Sequence, residues 1–144
     1  MRRLSLSLKR DEALRTSRVT IGRSKLVYVL IADKRLRYPI GKSRIAYIGT
    51  TKKGLVRIAQ SMASRAEEVL SIRGVRTVHA RIVTCRPRRN VKTWLKLERA
   101  LILSFRKRFG DVPALNSHGK KMKTVDEDRY FSPASIENVI DELA

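Results

Sequence analysis

One glutamate stands in the middle of a predicted apolar stripe. Residues 91–109 carry apolar side chains three and four positions apart, which predicts an amphipathic helix with one face toward the core. Glu98 interrupts that face. A buried carboxylate costs free energy unless it is paired, protonated or bound to a cation. Two interpretations therefore remain open: Glu98 pairs with Arg57 or Arg81, or it binds a hard divalent cation.

The elements before this helix are read from shorter patterns. Residues 25–31 form a β-branched and aromatic run that predicts a buried strand, and residues 43–49 predict a second. The polar segment between them, Asp33–Ser43, predicts a long hairpin connection. A helix should follow, capped by Thr50 or Thr51 and ending near Gly74.

The rest of the chain completes one fold class. Residues 76–85 alternate, which places Val78, Ala80 and Ile82 on one face of a third strand. A last helix is predicted from about Ser135, its cap, to Leu143. The expected fold is α/β (α+β): a small antiparallel three-stranded sheet flanked by helices, in the order β-β-α-β-α plus a short C-terminal helix. We expect a domain over 25–118, a basic arm over 1–24 and a C-terminal extension over 119–144.

Charge indicates the kind of partner. The 144 residues include 33 Lys and Arg against 13 Asp and Glu, a formal net charge of +20, and 42% are hydrophobic. A chain of this size and composition can bury a core, so it is not a disordered basic tail. The excess of positive charge predicts a polyanionic partner, either DNA or RNA. The exception is residues 126–144, which hold one basic and six acidic side chains.

Other signals are weak. Cys85 is the single cysteine, which excludes a disulfide framework within the chain, and His79 and His118 are too few and too far apart to suggest zinc. The longest apolar run is far shorter than the ~20 residues of a membrane span. We therefore expect a soluble, intracellular protein, cytoplasmic by default, with no membrane partner.

Five residues, in order, resemble a known family. Tyr28 lies on the first predicted strand, and Tyr47 opens Tyr-Ile-Gly at the end of the second. Arg57 follows ten residues later on a helix, Glu98 lies on the long helix, and Asn116 follows it. In order and element type, this set over about residues 25–118 resembles the GIY-YIG nuclease family.

The resemblance implies a metal-dependent endonuclease that hydrolyses DNA. Glu98 would bind one Mg²⁺ or Mn²⁺ ion, and Arg57 would fork onto the scissile phosphate. Tyr28 and Tyr47 would flank the attacking water, and one of them, as phenolate, would be the general base. Asn116 would hold the site together by hydrogen bonds to the backbone. The alternative is a non-catalytic DNA- or RNA-binding protein that uses the same fold and its basic surface.

Three departures from the family pattern are visible. Leu26-Val27-Tyr28 replaces Gly-Ile-Tyr, the connection 33–43 is longer than usual, and Ser61 stands where some members have histidine. His118 is a further candidate to assist proton transfer.

Basic residues near the motifs are expected to bind nucleic acid. They form three clusters: Lys52 and Lys53; Arg86, Arg88 and Arg89; and Lys120, Lys121 and Lys123. No separate folded domain that would read DNA sequence is predicted, so either specificity is low or it comes from the connection 33–43, a dimer or a partner protein.

Overall fold

A computed structural model describes residues 4–12, 15 and 25–144. Much of the predicted N-terminal arm (residues 1–3, 13–14 and 16–24) lies outside the described residues. The elements in chain order are β1 (Leu26–Arg37), β2 (Lys42–Thr51), α1 (Leu55–Leu70), β3 (Val78–Val83), α2 (Thr93–Phe109) and α3 (Pro133–Leu143). The strands form one antiparallel sheet in the order β2-β1-β3. The predicted fold class is confirmed.

The central strand β1 supplies both faces of the sheet. Its odd-numbered residues Val27, Val29 and Ile31 pack into the main core with α2 and α3. Its even-numbered residues from Leu26 to Leu30 pack on the other side, with Ile58 of α1 and the predicted inward face of β3. This division follows from the two-residue period of a strand. Because β1 is buried on both faces, it reads in the sequence as a continuous apolar run.

The connection predicted over 33–43 is mostly strand. β1 continues to Arg37 and β2 begins at Lys42, so only a tight turn separates them, closed by Tyr38 N–H donating to Gly41 O at 3.0 Å. The pairing shifts between Ile31 opposite Ile45 and Leu36 opposite Ser43. β1 therefore bulges by three residues here, which disrupts the alternation that sequence reading depends on.

Two predicted helix caps are wrong. α1 follows Gly54, with no side-chain cap, because Thr51 still belongs to β2 and its hydroxyl accepts from Lys53 N–H at 2.9 Å. α3 starts earlier than predicted: Ser132 is its cap, accepting from Ser135 N–H at 3.2 Å. Pro133 favours this start, since proline suits the first helical position.

The C-terminal extension joins the same core. Ile136, Ile140 and Leu143 of α3 are buried with the residues of α2 and the sheet. α2 ends as predicted at Gly110, which has φ of 82° and whose N–H donates to Arg106 O. Within the described residues, no helix combines the length and apolar character that a membrane crossing would require.

Candidate active site

The two motif tyrosines lie side by side on neighbouring strands. Tyr28 of β1 is directly opposite Gly49 of β2, and the Tyr28 and Tyr47 ring centroids are 5.8 Å apart. Tyr28 is buried, and its hydroxyl donates to Ser61 Oγ at 2.6 Å. Ser61 thus contacts the motif from the position where some members of the GIY-YIG family have histidine. Tyr47 is only partly buried, so it is the more accessible residue of the two.

Gly49 allows the Tyr47 ring to lie over the strand. A Cβ atom added at Gly49 would come within 2.5 Å of the Tyr47 ring and 2.8 Å of its hydroxyl oxygen. No side chain fits at these distances, so any larger residue would displace the ring. The glycine of Tyr-Ile-Gly therefore has a steric role that fixes where the Tyr47 hydroxyl lies.

The loop 113–118 covers the outer edge of β2 around Tyr47. The Asn116 side chain bonds Ile48 twice: Ile48 N–H donates to Oδ1 at 3.0 Å, and Nδ2 donates to Ile48 O at 2.9 Å. Leu115 N–H donates to Ala46 O at 2.9 Å. Ala46 is the extra residue of a bulge, since Leu30 pairs with Tyr47 and Ile31 with Ile45. Both neighbours of Tyr47 are thus anchored, which orients its side chain.

Glu98 pairs with a histidine, and the expected arginine partners are wrong. Its carboxylate lies 3.1 Å from His118 Nε2, and the Glu98 side chain is only 12% exposed against 54% for His118. Arg81 pairs instead with Glu142 at 3.4 Å. Arg57 is exposed and forms no ion pair or hydrogen bond with any described residue. His118 comes close because the loop that Asn116 anchors returns past α2, a placement that local patterns do not encode.

An arginine that sequence reasoning missed lies on Tyr47. The Arg65 guanidinium carbon is 3.9 Å from the centre of the Tyr47 ring, and Nη1 donates to Leu115 O at 3.4 Å. Arg57, Ser61 and Arg65 follow one another by one helical turn on α1. That four-residue spacing places them along one side of the helix. It was the available signal for Arg65, once Arg57 was suspected.

The pKa of Tyr47 is raised above its ordinary value. Burial is the main cause, the neighbouring Tyr28 adds to it, and the negative charge of Glu98 contributes in the same direction. The Arg65 cation opposes these effects. The site as it stands therefore favours the neutral phenol, and added positive charge would be needed to favour the phenolate.

The Glu98 carboxylate is an oxygen ligand of the type that a hard cation prefers. Within the described residues, no group of three or more His, Cys, Asp and Glu side chains converges as a metal cage. Mg²⁺ does not require one, because it is held by one or two carboxylates together with waters and substrate phosphate oxygens. Glu98 offers such a carboxylate at the edge of the site, if His118 moves aside.

The predicted nucleic-acid-binding clusters are exposed but spread out. Lys52 and Lys53 lie in the turn between β2 and α1, and the Arg86, Arg88 and Arg89 side chains surround the connection to α2. Arg88 stacks over Tyr130 at 5.3 Å. The side chains of Lys120, Lys121 and Lys123 are exposed on a segment whose backbone carbonyls accept hydrogen bonds from Arg106 and Arg99.

Comparisons with known proteins give no match: no family model, no curated protein and no solved structure resembles this chain closely enough to be reported.

Proposed function

We propose that this protein is a metal-dependent endonuclease that hydrolyses DNA phosphodiester bonds, and that it is a GIY-YIG nuclease. The observation that carries the proposal is the convergence at β2: the Tyr28 and Tyr47 rings lie against each other at a tilt, Arg65 covers Tyr47, and Glu98 is near enough to affect the Tyr47 pKa. A core would gain nothing from placing a carboxylate, a histidine and two phenols together. Hydrolysis of a phosphodiester uses such groups.

The chemistry requires a deprotonated water, a stabilised phosphorane and a protonated leaving oxygen. Tyr47 is the better general base, since Tyr28 is buried and already donates its hydroxyl hydrogen to Ser61. The Tyr47 phenolate would take one proton from water as the water oxygen bonds to phosphorus and the bond to the leaving oxygen breaks. Tyr28 would position Tyr47, and solvent would return a proton to the leaving oxygen.

Positive charge would stabilise both the phenolate and the phosphorane. Arg65 already lies against Tyr47, while the unpaired guanidinium of Arg57 can donate two hydrogen bonds to a phosphate. Glu98 would hold one Mg²⁺ or Mn²⁺ ion. When bound, that ion supplies Lewis-acid polarisation of a phosphate oxygen and stabilises negative charge on the leaving group. Asn116 would act as a positioning residue through Ile48.

Plasmid nicking tests the proposal. Supercoiled DNA is incubated with Mg²⁺ or Mn²⁺ and wild type, Glu98→Gln or Tyr47→Phe. We expect each substitution to slow nicking by about 10²-fold or more, the usual contribution of a general base or a metal ligand. Glu137→Gln and Tyr130→Phe are matched controls that make the same chemical changes at residues away from the site. Equal nicking by all five proteins would eliminate the site.

A non-catalytic DNA- or RNA-binding protein is the second candidate. Two observations favour it. The Glu98 carboxylate is already paired with His118, and the pKa of Tyr47 is raised, which favours the neutral phenol. This candidate predicts binding that depends steeply on salt but not on metal or Glu98. Tight binding with no nicking in either metal would support it against the nuclease.

A further inference from the structure

The hairpin that joins β1 to β2 carries cations that form no ion pair with a described residue. They line a groove of about 500 Å³, which we call the hairpin groove. Its lining consists of Lys34, Arg35, Leu36, Arg37, Lys42, Ile72 and Ala114. No carboxylate contributes to that lining, and none of its four cations forms an ion pair with a described residue. Within the described residues, no carboxylate is close enough to neutralise these four cations by an ion pair.

Folding gains nothing from this arrangement of charge. Arg37 lies directly opposite Lys42 across the two strands, and like charges at such positions destabilise a sheet. An isolated protein would be more stable with an acidic residue on one side. A polyanion that entered the groove would neutralise the charges of both residues and relieve the repulsion.

The bulge that carries Lys34 and Arg35 is firmly held. Asp33 N–H donates to Thr77 O at 3.1 Å, and Asp33 Oδ1 accepts from Arg76 N–H at 3.0 Å. Lys34 Nζ donates to Arg73 O at 3.0 Å. The segment after α1 thus holds the bulge by three hydrogen bonds. Fixed cations lose less side-chain and backbone entropy on binding than cations on a free loop.

The hairpin groove and the candidate active site are connected through α1 and the loop 113–118. Leu36 packs with Val69 of α1, the helix that also covers Tyr28. The loop 113–118 joins the two sites, since Ala114 lines the groove and Asn116 anchors Ile48. Lys42 precedes Tyr47 by five residues on β2, and the bulge at Ala46 makes this stretch shorter than the ~17 Å of a regular strand. Phosphates follow one another at ~3.4 Å along one strand of B-DNA, so one duplex is long enough to contact both sites.

We propose that the hairpin groove is a second phosphate-binding site, which contacts the backbone of the same DNA duplex whose scissile phosphate lies at Tyr47. The proposal rests on the proposed function for its choice of duplex DNA, and extends it by naming how the substrate is held. It also gives the segment 33–43, which the family pattern does not explain, a role in binding.

Salt-dependent binding tests the groove without cleavage. Binding of a fluorescent duplex is measured by anisotropy in EDTA over a range of salt, for wild type and Arg35→Gln/Arg37→Gln. Loss of two phosphate contacts should make the slope of log K against log salt shallower by about 1.8. The control Lys107→Gln/Arg129→Gln removes the same charge from exposed residues on the opposite side, and should keep the wild-type slope. Equal losses in both double variants, or no loss in either, would overturn the proposal.

Lys42→Glu gives a second readout with effects of opposite sign. The new carboxylate would face Arg37 across the strands, so the Tm should rise while DNA affinity falls. A fall in Tm, or an unchanged affinity, would contradict the groove. These measurements need no metal and no cleavage, so they test the groove separately from the nuclease. A wild type that binds DNA but never nicks it would contradict only the proposed nuclease activity. Variants that bind like wild type, when wild type nicks normally, would contradict only the proposed role of the groove.

Discussion

The cations of this protein occupy two regions with opposite surroundings. On α2 and β3 they face the acidic residues of 126–144, across a contact that we call the tail interface. Four ion pairs form it: Lys96–Asp126 and Arg99–Glu127 at 2.6 Å, Arg81–Glu142 at 3.4 Å, and Arg108–Asp141. In the hairpin groove, by contrast, no carboxylate contributes to the lining.

From this difference we expect the position of the carboxylates, more than the number of cations, to determine where a polyanion would bind. Arg99 uses its donors within the protein, because it donates to both the buried Glu127 carboxylate and Lys123 O. Arg106 likewise donates to the carbonyl oxygens of Gly119, Lys120 and Met122. Removing such a residue should affect stability, whereas removing a groove cation should affect binding.

Arg99→Ala should produce the largest loss of stability. Glu127 is only 3% exposed, so this variant leaves a buried carboxylate without its cation, at a cost of about 2–3 kcal/mol of unfolding free energy. Urea denaturation measures it. Arg37→Ala, in the groove, should stay within about 0.5 kcal/mol of wild type. Similar losses for both variants would abolish the distinction between the two regions.

Asn116→Ala should be the next most costly. Asn116 is buried in the loop 113–118. Its loss leaves the N–H and C=O of Ile48 without their partners. We expect about 2 kcal/mol less stability and slower nicking, since Tyr47 loses its anchored neighbour. The control is Asn138→Ala, an exposed asparagine on α3. Wild-type stability would show that the loop is held in another way.

Arg65→Gln should change the pH dependence of nicking. Arg65 belongs to neither region, and it opposes the burial that raises the pKa of Tyr47. Because the base must be deprotonated, nicking by wild type should increase as pH rises above neutrality. Without the cation the pKa of Tyr47 rises further, so the increase should shift to higher pH, with a rate loss of about fivefold near neutrality. A profile that does not move would exclude Arg65 from tuning Tyr47.

Acid should destabilise the protein through the tail interface, with a smaller effect than the substitutions above. Burial by itself would raise the pKa of Glu127, but Arg99 and the Val125 N–H outweigh it and hold that pKa below 4.5. A carboxyl with a lowered pKa stabilises the fold above its unfolded value, and that contribution is lost as pH falls through the folded value. Thermal melts from pH 6 downward should therefore show a decline below about pH 4.5 that Glu127→Gln makes shallower. Parallel curves would contradict this.

Periodic segments were the most predictable part of the fold. β1, β3 and α2 were found because burial on a sheet or helix repeats every two or every three to four residues. Glu98 was noticed for the same reason, as a break in such a pattern. The two strands of the hairpin were predicted too short, and their connection too long, because the bulge interrupts the period; the caps were misplaced because threonine and serine hydroxyls can accept from several nearby N–H groups.

The sequence by itself determined the elements, the excess of positive charge and the residues that could do chemistry, because these depend on local spacing and residue type. Only the tertiary structure decided the partners: His118 beside Glu98, Arg65 on Tyr47 and Ser61 on Tyr28. The first and last of these pairs join residues 20 and 33 positions apart, and all depend on how the elements pack. The same packing pairs acidic residues of 126–144 with cations of α2 and β3, and it places no carboxylate in the lining of the hairpin groove.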